Sequence, residues 1–183
     1  MKYFSKGKRS KIYLQGKIAI KKAAKNVIKN EVYWLKILNK YNIGPRLISY
    51  GKNYFKYKFI KGDFILDFIQ KNNKNNIKKV LINVLKQCRT LDKLKVNKKE
   101  LHNPIKHIII DKKVTMIDFE RCYSTNKPKN VTQFSQFILS LIKVLRNKNF
   151  KLNKNKLISL LKLYKNNQNE NNFRNILNYI KKV

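Results

Sequence analysis

The sequence predicts an α+β fold in two lobes, a small antiparallel sheet carrying one helix followed by a larger helical lobe. Two observations predict it. Apolar residues alternate with a period of two through residues 1–24, 46–50 and 54–60, but recur at helical spacing over 26–40, 77–91, 131–146, 155–164 and 172–182. The chain is also 183 residues long and 43% hydrophobic, enough for one domain with a real core.

Taken in order, residues 1–24 break at 7–11 and at Gln15-Gly16, as a chain of hairpins would. The following helix, 26–40, places Val27, Leu35 and Leu38 on one stripe and stops at Asn42-Ile43-Gly44-Pro45, since Gly and Pro together end a helix. Strands at 46–50 and 54–60 flank the turn Gly51-Lys52-Asn53, and Lys61-Gly62-Asp63 marks the lobe boundary. A short helix over 64–70 precedes a polar linker at 71–76. Ile77, Val80, Leu81, Val84, Leu85 and Cys88 then define an amphipathic helix. After a loop at 100–106, Ile108-Ile109-Ile110, the turn Asp111-Lys112-Lys113 and residues 114–119 read as a hairpin whose second strand delivers Asp118.

Charge is the extreme property. Lys and Arg number 44 against 9 Asp and Glu, a net +35. Such a field attracts polyanions, and tRNA or other RNA is the expected partner; AT-rich codon bias is the alternative source of the lysines, although it does not explain the scarcity of Glu. No apolar run approaches the roughly 20 residues that span a bilayer, and residues 1–10 lack a signal-peptide stretch, so a soluble cytoplasmic protein without a membrane partner is expected. Cys88 and Cys122 are far apart and in apolar surroundings, which predicts packing thiols.

With so few acids, the position of each is informative. In Gly16-Lys17-Ile18-Ala19-Ile20-Lys21-Lys22, alternation puts Ala19 and Lys21 on one strand face and turns Lys22 away. Glu31, four residues from both Val27 and Leu35, sits on the apolar stripe, where a carboxylate is costly unless a cation pairs with it; Lys21 is the candidate, and a surface Glu–Lys pair the alternative. Asp118, in Met116-Ile117-Asp118-Phe119-Glu120, lies at the end of an apolar strand and suits a hard metal ion.

Together with Gly7-Lys8-Arg9-Ser10-Lys11, Gly44-Pro45, Phe59-Ile60-Lys61-Gly62, Asn103-Pro104-Ile105-Lys106-His107 and Asp118-Phe119-Glu120-Arg121, these residues resemble a reduced protein kinase in their order and context. The style is that of small archaeal protein-kinase-like proteins of predicted Ser/Thr type, with RIO kinases and the small kinase of the KEOPS tRNA-modifying complex as more distant likenesses. The resemblance covers about residues 5–145. It implies a minimal kinase-like fold, an N-lobe over 1–61 and a helical C-lobe over 62–183 in one domain with a cleft between them. It also implies ATP and Mg2+ as cofactors and a protein substrate of unknown identity. Carried over by position, Lys21 would grip the phosphates, Glu31 orient it, and Asp118 bind metal. Ala19 would leave room for the nucleotide, and the turn with Gly7 and Ser10 would cover the phosphates with one glycine where the usual motif has three.

The sequence departs from the pattern in one loop. His107 falls in the slot of the usual metal-binding Asn, and His102 in that of the usual Asp base. Imidazole can accept a hydroxyl proton near neutral pH, so His102 is a candidate base and His107 a candidate phosphate or metal contact; a loop-shaping role is the alternative. Glu120 stands where a glycine usually follows Asp-Phe, with Arg121 as a nearby cation, and no long activation loop follows. The rival function is a non-catalytic basic module, bound to RNA or the ribosome, on a pseudokinase scaffold.

Overall fold

The computed structural model describes all 183 residues, which form two compact units: Met1–Gly62 with His107–Cys122, and Asp63–Lys106 with Tyr123–Val183. The fold is α+β, a small antiparallel sheet and several helices. No helix is long and apolar enough to cross a membrane.

The sheet of the first unit comprises β1 (Lys2–Lys6), β2 (Ser10–Gln15), β3 (Ile18–Ala23), β4 (Leu47–Tyr50) and β5 (Tyr54–Lys58), in the order β1-β2-β3-β5-β4. Gly16 takes φ +57° in the tight turn that pairs Gln15 with Ile18, a conformation glycine adopts without a side-chain penalty. The helix α1 (Lys25–Leu38) packs on this sheet and buries Ile28, Glu31, Val32, Trp34, Leu35 and Leu38. Its stripe therefore begins at Ile28, while Val27 is only half-buried. A single 3-10 turn, Asn39–Tyr41, continues α1. Asn39 then shapes the descent into β4, donating to the carbonyls of Ile43 and Pro45 and accepting from the Leu47 amide.

The strands Ile108–Ile110 and Val114–Met116 complete this unit as an antiparallel hairpin. The second strand stops at Met116, short of the expected 119. Asp118 lies two residues beyond it with φ +66°, so it is held by a left-handed turn and not by a strand end.

The second unit is helical: α2 (Ile65–Lys71), α3 (Lys74–Lys93), α4 (Asn130–Ser140), α5 (Ile142–Asn147), α6 (Lys154–Asn166) and α7 (Glu170–Lys182). The expected helix over 131–146 is thus two, broken at Leu141, and the linker expected over 71–76 shrinks to Asn72 and Asn73. Asparagine capping explains the shorter linker. Asn73, Asn153 and Asn169 each accept a hydrogen bond from the amide three residues on, opening α3, α6 and α7. Asp92 caps α4 from another helix, accepting from the Asn130 and Val131 amides, the Asn130 side chain and the Tyr164 hydroxyl. Burial pushes its carboxyl up against the pull of those bonds. Cys88 and Cys122 are both buried and unlinked.

Candidate functional site

Lys21 leaves β3 on the face away from solvent and is 5% exposed, whereas Lys22 is exposed with its ammonium 5.3 Å from the Tyr13 ring centre. The Lys21 ammonium has three N–H donors and meets three carboxylates: Glu31 at 2.6 Å, Asp118 at 2.8 Å and Glu120 at 3.4 Å. Burial alone would pull its pKa down, but Glu31 and Asp118 outweigh that and hold it above the ordinary lysine value.

Glu31 is 2% exposed and has both oxygens engaged. One accepts from Lys21, the other from the Phe119 amide at 3.1 Å. Burial pushes its carboxyl up, and the Lys21 ammonium and the Phe119 amide pull it back. Two neighbours on α1 grip the same segment: Asn30 donates to the carbonyls of Glu120 and Cys122, and the Trp34 indole donates to Cys122 at 2.9 Å. The side chains of one helix turn thereby fix residues 119–122. Phe119 is fully buried, and Gly44, at φ +85°, has no room for a Cβ: one would lie 2.9 Å from Leu35 and 3.0 Å from Phe119.

Glu31, Asp118 and Glu120 each offer an oxygen within 4.8 Å of the others. Glu120 is the member sequence reasoning missed, having marked it only as a departure from glycine. The signal available was scarcity, two acids in three residues of a chain with nine. Asp118 is the most accessible of the three, with its side chain 34% exposed, against 11% for Glu120 and 3% for Glu31. His107, half-buried, places Nδ1 3.8 Å from Asp118 Oδ2.

Of the other sequence candidates, Ala19 is fully buried in β3 between Leu14 and Tyr57. Gly7 and Ser10 close the β1–β2 turn through a 2.8 Å bond from the Gly7 amide to the Ser10 carbonyl. His102 belongs to the second unit, where it ends the 3-10 turn Lys99–His102, exposed, with Nδ1 2.7 Å from the Lys99 carbonyl. In the same unit Lys98, without solvent exposure, pairs with Glu100 at 3.2 Å.

The donor set suits magnesium. All three groups are carboxylates, and hard divalent cations take oxygen ligands. An ammonium and three carboxylates on a helix, a strand and a fixed turn can together receive a metal cation at the carboxylates and an anion at Lys21.

No protein-family model matches the sequence, and no curated protein does. Among solved structures, 317 chains match. One is a co-crystal structure of WbdD and the kinase inhibitor LY294002, similar with a TM-score of 0.61 at 16% sequence identity over 97% of this chain. The match takes in 44% of that protein's chain, so the present chain spans less than half its length. At that identity the likeness is one of fold alone, and it is to a distantly kinase-like fold that this chain is similar.

Proposed function

We propose that the chain binds ATP with magnesium at the Lys21–Glu31–Asp118–Glu120 cluster and acts as a kinase-like phosphotransferase of Ser/Thr type or a slow ATPase. The observation that carries the reading is the set of three carboxylates within 4.8 Å around one buried ammonium. Three carboxylates bring more negative charge than one ammonium carries, and a divalent cation offsets the difference. Asp118 and Glu120 would hold it, since Glu31 already serves Lys21 and the Phe119 amide. When bound, the ion would supply neutralisation of the phosphate charge.

The chain's own part is positioning. Glu31 holds Lys21 extended from β3, where it would meet the phosphates, and the clamp of Asn30, Glu31 and Trp34 holds residues 119–122, so that Asp118 and Lys21 stay in register. Asp118 adopts a left-handed backbone conformation, which costs about 1–2 kcal/mol in an L-residue and is tolerated where the surroundings determine it. The Gly7–Ser10 turn would cover the phosphates.

The test is thermal stability during ATP titration with and without magnesium. A bound ligand stabilises by RT ln(1 + [L]/Kd), so magnesium-ATP should raise Tm, and Asp118→Asn should remove the magnesium-dependent part of that rise. A labelled γ-phosphate transfer assay then reads whether the bound nucleotide is turned over. Absence of any Tm shift at millimolar magnesium-ATP would sink the reading. The charge of +35 favours a second one, a non-catalytic RNA-associated module; a magnesium-ATP shift without transfer or hydrolysis would select it.

A further inference from the structure

We infer that the first unit carries a single-stranded nucleic-acid site on the surface where the α1–β4 turn, the end of β5 and the turn Asp111-Lys112-Lys113 meet. This goes beyond the ATP reading and stands whether or not the Lys21 cluster binds a nucleotide. Three adjoining concavities there share Arg46. One of them, about 280 Å³, is lined by Pro45, Arg46, Lys58, Phe59, Lys113 and Thr115 among others. The next continues over Asn39 and Lys113, and the third runs past Lys58 to Lys17. With Lys112, the surface presents five exposed cations against one acid, Asp111.

These cations stand on a fixed track. The Lys58 amide donates to the Arg46 carbonyl at 3.0 Å, the Phe59 amide to the Lys17 carbonyl at 2.9 Å, and the Asp111 amide to the Lys113 carbonyl at 3.1 Å. Asn39 holds Pro45 and Leu47 on either side of Arg46. The backbone beneath the cations is thus tied down, and each phosphate that one of them neutralises releases counter-ions.

An independent observation points to the occupant. Thr115, 2% exposed, forms part of the wall of the 280 Å³ cavity, and its hydroxyl has no hydrogen-bond partner. Buried hydroxyls are ordinarily satisfied, because leaving one unpaired costs free energy. A ligand that enters this cavity therefore needs a polar edge for Thr115, an apolar face for Pro45, Phe59 and Ile60, and anionic groups for the rim. The volume lies just below that of small-molecule sites, roughly 300–1,000 Å³, which suits one planar ring system. A nucleobase on a phosphate chain meets all of these requirements. A duplex does not, since its bases are stacked inward.

The test is fluorescence anisotropy with labelled oligouridylate and oligoadenylate. Arg46→Ala/Lys58→Ala/Lys113→Ala should weaken binding by tenfold or more and reduce the log–log salt slope by about 2, at roughly 0.7 per neutralised phosphate on a single strand. The charge-matched control Lys151→Ala/Lys154→Ala/Lys156→Ala, on exposed positions of the second unit, should lose far less. Thr115→Val should weaken single-strand binding several-fold without lowering Tm, and Thr115→Ser should restore it. Equal losses in the two triple variants would overturn the inference, because the binding would then be diffuse attraction. So would wild-type affinity in Thr115→Val, or a duplex binding as tightly as the single strand.

Discussion

Replacing Lys21 with methionine tests the centre of the site. The change keeps an unbranched side chain one atom shorter and removes the charge, leaving three carboxylates within 4.8 Å of one another, one of them almost fully buried. Breaking a buried pair by removing one partner costs about 3–5 kcal/mol. At roughly 2–4 °C per kcal/mol for a chain of this size, Tm should fall by about 6–20 °C. Because Lys21 has its pKa raised above the ordinary 10.5, its own contribution is fully present below that pH and is lost only as pH rises through the higher folded value. The loss should therefore be undiminished at neutral pH. Lys22→Met is the control: that ammonium is exposed over Tyr13, a contact worth about 0.5–1 kcal/mol. Thermal melts should also show millimolar magnesium raising the Tm of Lys21→Met more than that of the wild type, since a divalent cation can take the missing charge's place. A double variant, Lys21→Met/Glu31→Leu, should recover part of the stability, which separates stranded charge from lost packing. Equal effects of Lys21→Met and Lys22→Met would refute the reasoning, as would a Lys21→Met loss below about 1 kcal/mol, the scale of a surface pair.

Gly44→Ala should cost about 2–5 kcal/mol, the sum of about 1–2 for a left-handed alanine and about 1–3 for overpacking against Leu35 and Phe119. The urea midpoint should fall at constant slope, and an unchanged midpoint would mean that the turn relaxes freely. Tyr57 offers a pH test: burial, opposed by Lys21, pushes its phenol up to about 12 from 10.0. The folded state then binds more protons than the unfolded state between those values, so stability should fall as pH rises across that window, and less steeply in Tyr57→Phe. Absorbance titration of that variant should lose one late-ionising phenol.

The periodic parts of this chain were legible. Alternation placed Lys21 and Lys22 on opposite sides of β3, and helical spacing put Glu31 on the buried side of α1, because both rest on regular backbone geometry. The irregular parts were not. Beyond Met116 the backbone leaves the strand and turns through a positive φ at Asp118, so alternation no longer tells which way Glu120 points. The grip of Asn30 and Trp34 on the Glu120 and Cys122 carbonyls has no sequence sign, since it joins backbone groups some 90 positions along the chain. The two-residue pairing of Val96–Asn97 with Tyr123–Ser124 is too short for any period to reveal. The polar linker expected over 71–76 holds the cap of α3 at Asn73, and Asn153 and Asn169 cap α6 and α7 in the same way, polarity serving a specific backbone amide.

The placement of the scarce acids argues for a ligand at the cluster. Asp63 pairs with Lys71, Glu100 with Lys98, and Glu170 with Lys93 and Arg89, while Asp92 spends its oxygens on amides and a hydroxyl. Each of these has its own cation or set of donors, as expected where 44 cations surround nine acids. Glu31, Asp118 and Glu120 instead share Lys21. Carboxylates at such separation repel one another, and partial burial weakens the solvent screening that would relieve the repulsion. Stability alone would favour dispersing them, with cations so abundant. A codon bias that merely depleted acids would scatter those that remain. The cost becomes intelligible if the arrangement exists to receive a further cation together with an anion for Lys21, and the first such pair to try is magnesium with a nucleotide phosphate.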